Sequence, residues 1–148
     1  MVRSILHSAV ALGLFISSTG CKRSGTAQTE EPEAPLVRAS VAAVKQFHGG
    51  LSANQPSEIC ANADPHALDA VTQLPCPEFV PFLNRKLGPV LESKRIQTPL
   101  ASAQPPHVAL VYQTHFQRGE AREHFEYRVE GTRAILTTYR IKSDALNE

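Results

Sequence analysis

The stretch HVALVYQTHFQRGEAREHFEYRV, residues 107–129, alternates apolar and polar side chains on both sides of a short break that contains Gly119. Alternation of period two sends successive side chains to opposite faces, so a segment of this kind buries one face as a β-hairpin and cannot do so as a helix. Gly119-Glu120 read as a two-residue Gly-X turn pairs Arg118 with Ala121, Phe116 with Glu123, Thr114 with Phe125 and Tyr112 with Tyr127. One face is then mostly apolar, carrying Leu110, Tyr112, Phe116, Phe125, Tyr127 and Val129. The other pairs His115 with His124 and Gln113 with Glu126, a polar ladder. A one-residue slip would mix the two faces.

The flanking segments PVLESKRI (89–96) and TRAILTTYRI (132–141) add two strands by the same criteria, which makes four. Upstream the period changes. Val37, Val41, Val44, His48 and Leu51 recur at helical spacing from Leu36, and Gly49-Gly50 is expected to end or loosen that helix. A second helix is expected in ADPHALDAVTQL, with Asp64 as cap, Pro65 at the first position, and Leu68, Val71 and Leu74 facing inward. PEFVPFLNRKLG reads as a third helix, stopped by Gly88. Helices followed by strands joined by short turns predict an α+β domain, its N-terminal helices packed on one face of a curved four-stranded antiparallel sheet.

Residues 1–20 begin with Arg3, continue through the apolar run ILHSAVALGLFI and end in the small polar run SSTG, the layout of a secretory signal peptide. The twelve-residue run is too short for a comfortable membrane span. SSTGC resembles the lipobox of bacterial lipoproteins, with Ser18 where Leu is usual, and this resemblance makes Cys21 the lipidated mature N-terminus. Lys22 after the cysteine points to the outer rather than the inner membrane. KRSGTAQTEEPEAP has no apolar residue larger than Ala, so residues 21–35 read as a flexible tether and 36–148 as a single α+β domain. With Cys21 assigned to lipid, Cys60 and Cys76 remain as an even pair in an oxidising compartment and are expected to form a disulfide; two buried thiols are the alternative. Loss of Arg3 leaves the 15 Lys plus Arg reduced by one against 14 Asp plus Glu, so the mature chain carries no net charge and nucleic acid is not expected as a partner.

NRKLGPVLESKRI, VALVYQTHFQRGEAREHFEYRVEG and YRIK together resemble small bacterial exported domains of unknown function with the cystatin-like, nuclear-transport-factor-like fold. Leu87-Gly88, Arg95, Tyr112, Thr114, Phe116, Glu123 and Tyr139 match that pattern; Ala134 and Thr138 stand where the family usually has Trp and Gly. The resemblance spans roughly residues 40–142 and implies a cone-shaped domain with a concave sheet, an architecture that hosts enzymes and binding modules alike.

The chain has no GxSxG, HExxH, P-loop or GxGxxG motif. His115, His124 and Glu126 on one face could hold a divalent metal, but cross-strand polar pairs are ordinary sheet surface, and neither metal nor cofactor is expected. Tyr112, Glu123 and Tyr127 are expected to line the cavity between sheet and helices. Glu123 there is either a general base or the partner of Arg95 or Arg85 at the rim. The preferred reading is a non-catalytic binding or scaffolding domain, held to the membrane by a lipid anchor, that takes a protein partner or a small apolar ligand. The alternative is a small hydrolase or isomerase that uses the cavity. A cavity filled by Phe79, Phe82 and Leu83 would favour the first reading, and an open one with convergent polar groups the second.

Overall fold

Helix α1 spans Pro35–Ser52, and its buried stripe of Val37, Ser40, Val44, Phe47, His48 and Leu51 lies against the sheet. The computed structural model describes residues 33–147. The expectations for the signal peptide, Cys21 and all but the end of the tether lie outside the described residues. Gly49-Gly50 does not end α1. Fully buried Leu51 anchors one further turn, its carbonyl accepts from Asn84 Nδ2 at 2.7 Å, and Ser52 Oγ accepts from the Val90 amide at 3.0 Å. Tertiary contacts here outweigh the poor helix propensity of glycine. Gly50 also admits the next helix, because a Cβ at that position would stand 3.1 Å from Ile59 Cγ1.

That next helix, α2, is Pro56–Cys60, a short element that the apolar periodicity of the sequence does not signal. The helix expected from Asp64 does not form, and residues 65–71 run as turns. The reason is the open edge of the sheet. The Leu136 amide donates to Asn62 O at 2.9 Å, the Asp64 amide to Leu136 O at 2.8 Å, and the Tyr139 amide to Ala67 O at 2.7 Å. Backbone groups spent on a neighbouring strand are not available to a helix, and the segment shields an edge that would otherwise be exposed. Ala67 and Leu68 point into the core, and Asp64 forms a two-pronged pair with Arg128 at 3.0 and 3.3 Å.

Helix α3, Cys76–Leu87, buries Phe79, Val80, Leu83 and Leu87, and stops at Gly88, whose φ is 77°. Cys60 and Cys76 are disulfide-bonded with Cα atoms 5.8 Å apart, which joins the end of α2 to the start of α3. With a separation of 16 residues the cross-link contributes roughly 3 kcal/mol by the chain-entropy model.

The sheet has five antiparallel strands, not four: β1 Val90–Arg95, β2 Leu100–Ala103, β3 Pro106–Phe116, β4 Gly119–Glu130 and β5 Arg133–Lys142. Its order is β1-β3-β4-β5, and β2 pairs with β3 beyond the end of β1, so the two short strands divide one edge between them. Strand β2 lies between prolines and is exposed at all four residues, which leaves no alternation to read.

The β3–β4 hairpin turns at Gln117-Arg118, with Phe116 opposite Gly119, and not at Gly119-Glu120. The connection before β1 fixes this turn. The Gln117 amide donates to Pro89 O at 3.0 Å and the Arg118 amide to Leu87 O at 2.9 Å, while Gly88 lies so close that a Cβ there would stand 2.9 Å from Gln117 Cβ. The register is displaced by two residues on each strand, an even number, so the assignment of side chains to faces survives. The individual pairs change. Tyr112 faces Glu123 and not Tyr127, and His115 faces Glu120 and not His124.

Candidate functional site

On the helix-facing side of the sheet, the Glu123 side chain of β4 is fully buried. A carboxylate is an acceptor-only group, and leaving one unpaired in a dry core costs several kcal/mol, so its partners decide whether the site is stable. Three elements supply them. Glu123 Oε2 lies 2.8 Å from His48 Nε2 of α1 and accepts from Thr114 Oγ1 of β3, while Oε1 accepts from the Tyr139 hydroxyl of β5 at 2.6 Å. Thr114 and Tyr139 are themselves wholly buried, and His48 is 6% exposed. One carboxylate thus ties the first helix to three adjacent strands.

Aromatic rings pack around this network. Phe47 and Phe125 meet edge to face at 5.3 Å, Phe125 lies 5.1 Å from Tyr139, and His48 meets Phe125 edge to face at 5.7 Å. Burial pushes the Tyr139 hydroxyl well above its ordinary value; the nearby charge of Glu123 and the hydrogen bond to it act in the same direction. Tyr127 is also raised well above that value, first by burial and then by Glu123 and Tyr112. Tyr112 is raised by burial, against a lowering by Arg95, with Glu33 and Glu123 adding to the rise.

Of the three expected cavity residues, Tyr112 stands directly across from Glu123, but Tyr127 does not join the hydrogen-bonded group. The Tyr127 hydroxyl is buried with no hydrogen-bond partner among the described residues. Glu123 pairs with neither Arg95 nor Arg85. Arg95 instead pairs with Glu33 at 2.5 Å. The partner that sequence reasoning missed is His48, expected to pack on the helix stripe without a role. The signal was present: a histidine on the buried stripe of α1 and a glutamate on the buried face of β4 are two polar side chains on surfaces that face each other, and buried polar groups find partners.

His115 and His124 do not form a pair. His115 contacts Glu120 at 3.3 Å and His124 contacts Glu126 at 3.1 Å, and no cluster of three metal-ligating side chains occurs among the described residues. Of three cavities among the described residues, none is lined by His48, Thr114, Glu123 or Tyr139. One, of about 610 Å³, lies between Phe82, residues 70–72 and the ends of β4 and β5; Phe82 therefore lines this outer cavity and does not fill the centre. A second, of about 310 Å³, lies between α1, α2 and the β4–β5 pair, with Phe47, Ile59, Tyr127, Ala134 and Leu136 in its wall. The third is on the opposite face of the sheet.

A general base must reach the proton it removes. Here the carboxylate is saturated with donors and lies under the helix layer, an arrangement suited to holding the layers in register. The cavity between α1, α2 and the β4–β5 pair is separate from this network and is walled by apolar side chains together with Gln46, Glu58 and Asn62. No protein-family model matches the chain, and no curated protein matches it.

Proposed function

We propose that the chain is a membrane-tethered periplasmic lipoprotein, anchored through Cys21 and favouring the outer membrane, whose domain is akin to the cystatin-like exported domains and binds a small apolar ligand without catalysis. The observation that carries the binding role is the cavity of about 310 Å³ between α1, α2 and β5. Its size is at the lower end of small-molecule sites, roughly 300–1,000 Å³, and its apolar wall with a few polar groups has the usual composition of such sites. Phe47, Ile59, Tyr127, Ala134 and Leu136 give it apolar surface, and Gln46, Glu58 and Asn62 give it polar groups, which suits a ligand with a hydrogen-bonding group on an apolar body. The hydrolase or isomerase reading would need a substrate to displace donors from fully buried Glu123.

1-Naphthol is a suitable probe because it is apolar, fluorescent and carries one hydroxyl. We expect saturable one-to-one binding that is lost in Ala134→Phe, where the new ring occupies the cavity, with cooperative thermal unfolding retained. Unchanged binding by Ala134→Phe would refute the assignment of the site.

A further inference from the structure

On the face of the sheet turned away from the helices, two successive cross-strand pairs of β4 and β5 bring basic groups together. Arg122 is directly opposite Lys142, and His124 is directly opposite Arg140. Like charges in directly opposed positions destabilise a sheet. The mature chain is close to charge balance, so this cluster is not simply the average of a basic protein.

Nearby acids pair with histidines and leave Arg122, Arg140 and Lys142 uncompensated. Glu126 is engaged by His124 at 3.1 Å and His107 at 3.6 Å, and Glu120 by His115 at 3.3 Å and Gln113 at 3.2 Å. Glu120 and Asp144 line the adjoining larger cavity together with Arg122 and Lys142, yet form no ion pair with either. Arg122, Arg140 and Lys142 have no ion pair or side-chain hydrogen bond among the described residues. All three are exposed, and with Gln97, Val111 and His124 they line a cavity of about 280 Å³.

We infer that this cavity binds a phosphate group. Two arginines and a lysine line one concavity, and planar guanidinium forks match the oxygens of a phosphate with parallel charge-assisted bonds. A phosphate monoester, with three terminal oxygens and close to two negative charges, can engage all three cations together. A carboxylate has two oxygens and one charge. The bound anion would also relieve the repulsion between the opposed pairs, which gives the protein a reason to keep them. The group can come from a lipid headgroup at the membrane surface or from a soluble phosphate ester.

The test uses the full chain carrying Cys21→Ser, so that acylation cannot hold it to vesicles, labelled with ¹⁵N and titrated with inorganic phosphate at low ionic strength. Saturable shifts are expected at the amides of residues 122–124 and 140–142. Arg122→Gln with Arg140→Gln should weaken the affinity roughly tenfold or more, and should leave the melting temperature in the absence of phosphate unchanged or raise it. Vesicles of phosphatidylcholine with and without phosphatidic acid then identify the source: retention only with phosphatidic acid supports a lipid headgroup, and phosphate binding without retention supports a soluble ester. Equal affinity in the double variant, equal binding of acetate, or no saturable shift at these amides would overturn the proposal.

Discussion

Glu123→Ala is expected to lose about 3–5 kcal/mol, the range for breaking one side of a buried charged pair. The carboxylate is fully buried and satisfies His48, Thr114 and Tyr139 at once, so its removal strands three polar groups in an apolar interior and leaves a void. A domain of this size has roughly 5–15 kcal/mol in total. The variant should therefore lose a substantial share of its stability and unfold at a markedly lower urea concentration than the parent. Glu123→Gln keeps the volume and one carbonyl acceptor for Tyr139 but places an amide where Thr114 and His48 converge, and about 1–3 kcal/mol should be lost. Urea unfolding followed by circular dichroism measures both. A Glu123→Ala midpoint within experimental error of the parent would show that the network does not hold α1 to the sheet.

The domain should also unfold cooperatively in alkali, because all three tyrosines of the chain are held in neutral form by the fold. Tyr127 and Tyr139 lie well above 10.0, and Tyr112 lies above it. Below that value folded and unfolded chains both keep their phenolic protons, and the stabilisation is constant. Above it the unfolded chain releases protons that the folded chain retains. Stability then falls as pH rises, by about a factor of ten in the folding equilibrium per pH unit for each such group. With two deeply buried tyrosines acting together, this loss is steep against the roughly 5–15 kcal/mol that stabilises a small domain. Tyrosinate absorbance and circular dichroism recorded together from about pH 8 to about pH 12 should change in one coincident step. Smooth ionisation near the ordinary tyrosine value, with the dichroism unchanged, would contradict the burial of these rings.

What the sequence reveals about this fold follows from what is local in it. Alternation along residues 107–129 identifies the buried face, because which side a residue occupies depends on parity alone. The register depends on Gly88 and on the carbonyls of Leu87 and Pro89, far away in sequence, which pull the turn to Gln117-Arg118. The Asp64-Pro65 start signal is a sound local signal that lost to the unpaired edge of β5, where residues 62–67 do more as a covering segment than as a helix. Gly49-Gly50 is likewise a sound stop signal, overridden by the burial of Leu51. Alternation also places Glu123 on the inward face, and the core position of His48 follows from its place on the α1 stripe. Two inward polar groups call for partners, and how α1 crosses the sheet decides that these two meet each other. The like-charge pairs depend on the register between β4 and β5, which sets Arg122 against Lys142.

The proposed localisation rests on the lipid anchor at Cys21. The direct measurement is incorporation of a labelled fatty acid into the parent chain and into Cys21→Ser, followed by fractionation of the cells. The parent is expected to be labelled and recovered in the outer membrane. Cys21→Ser is expected to be unlabelled and absent from that fraction. Equal labelling of the two chains, or an unlabelled parent in the soluble periplasmic fraction, would contradict the anchor.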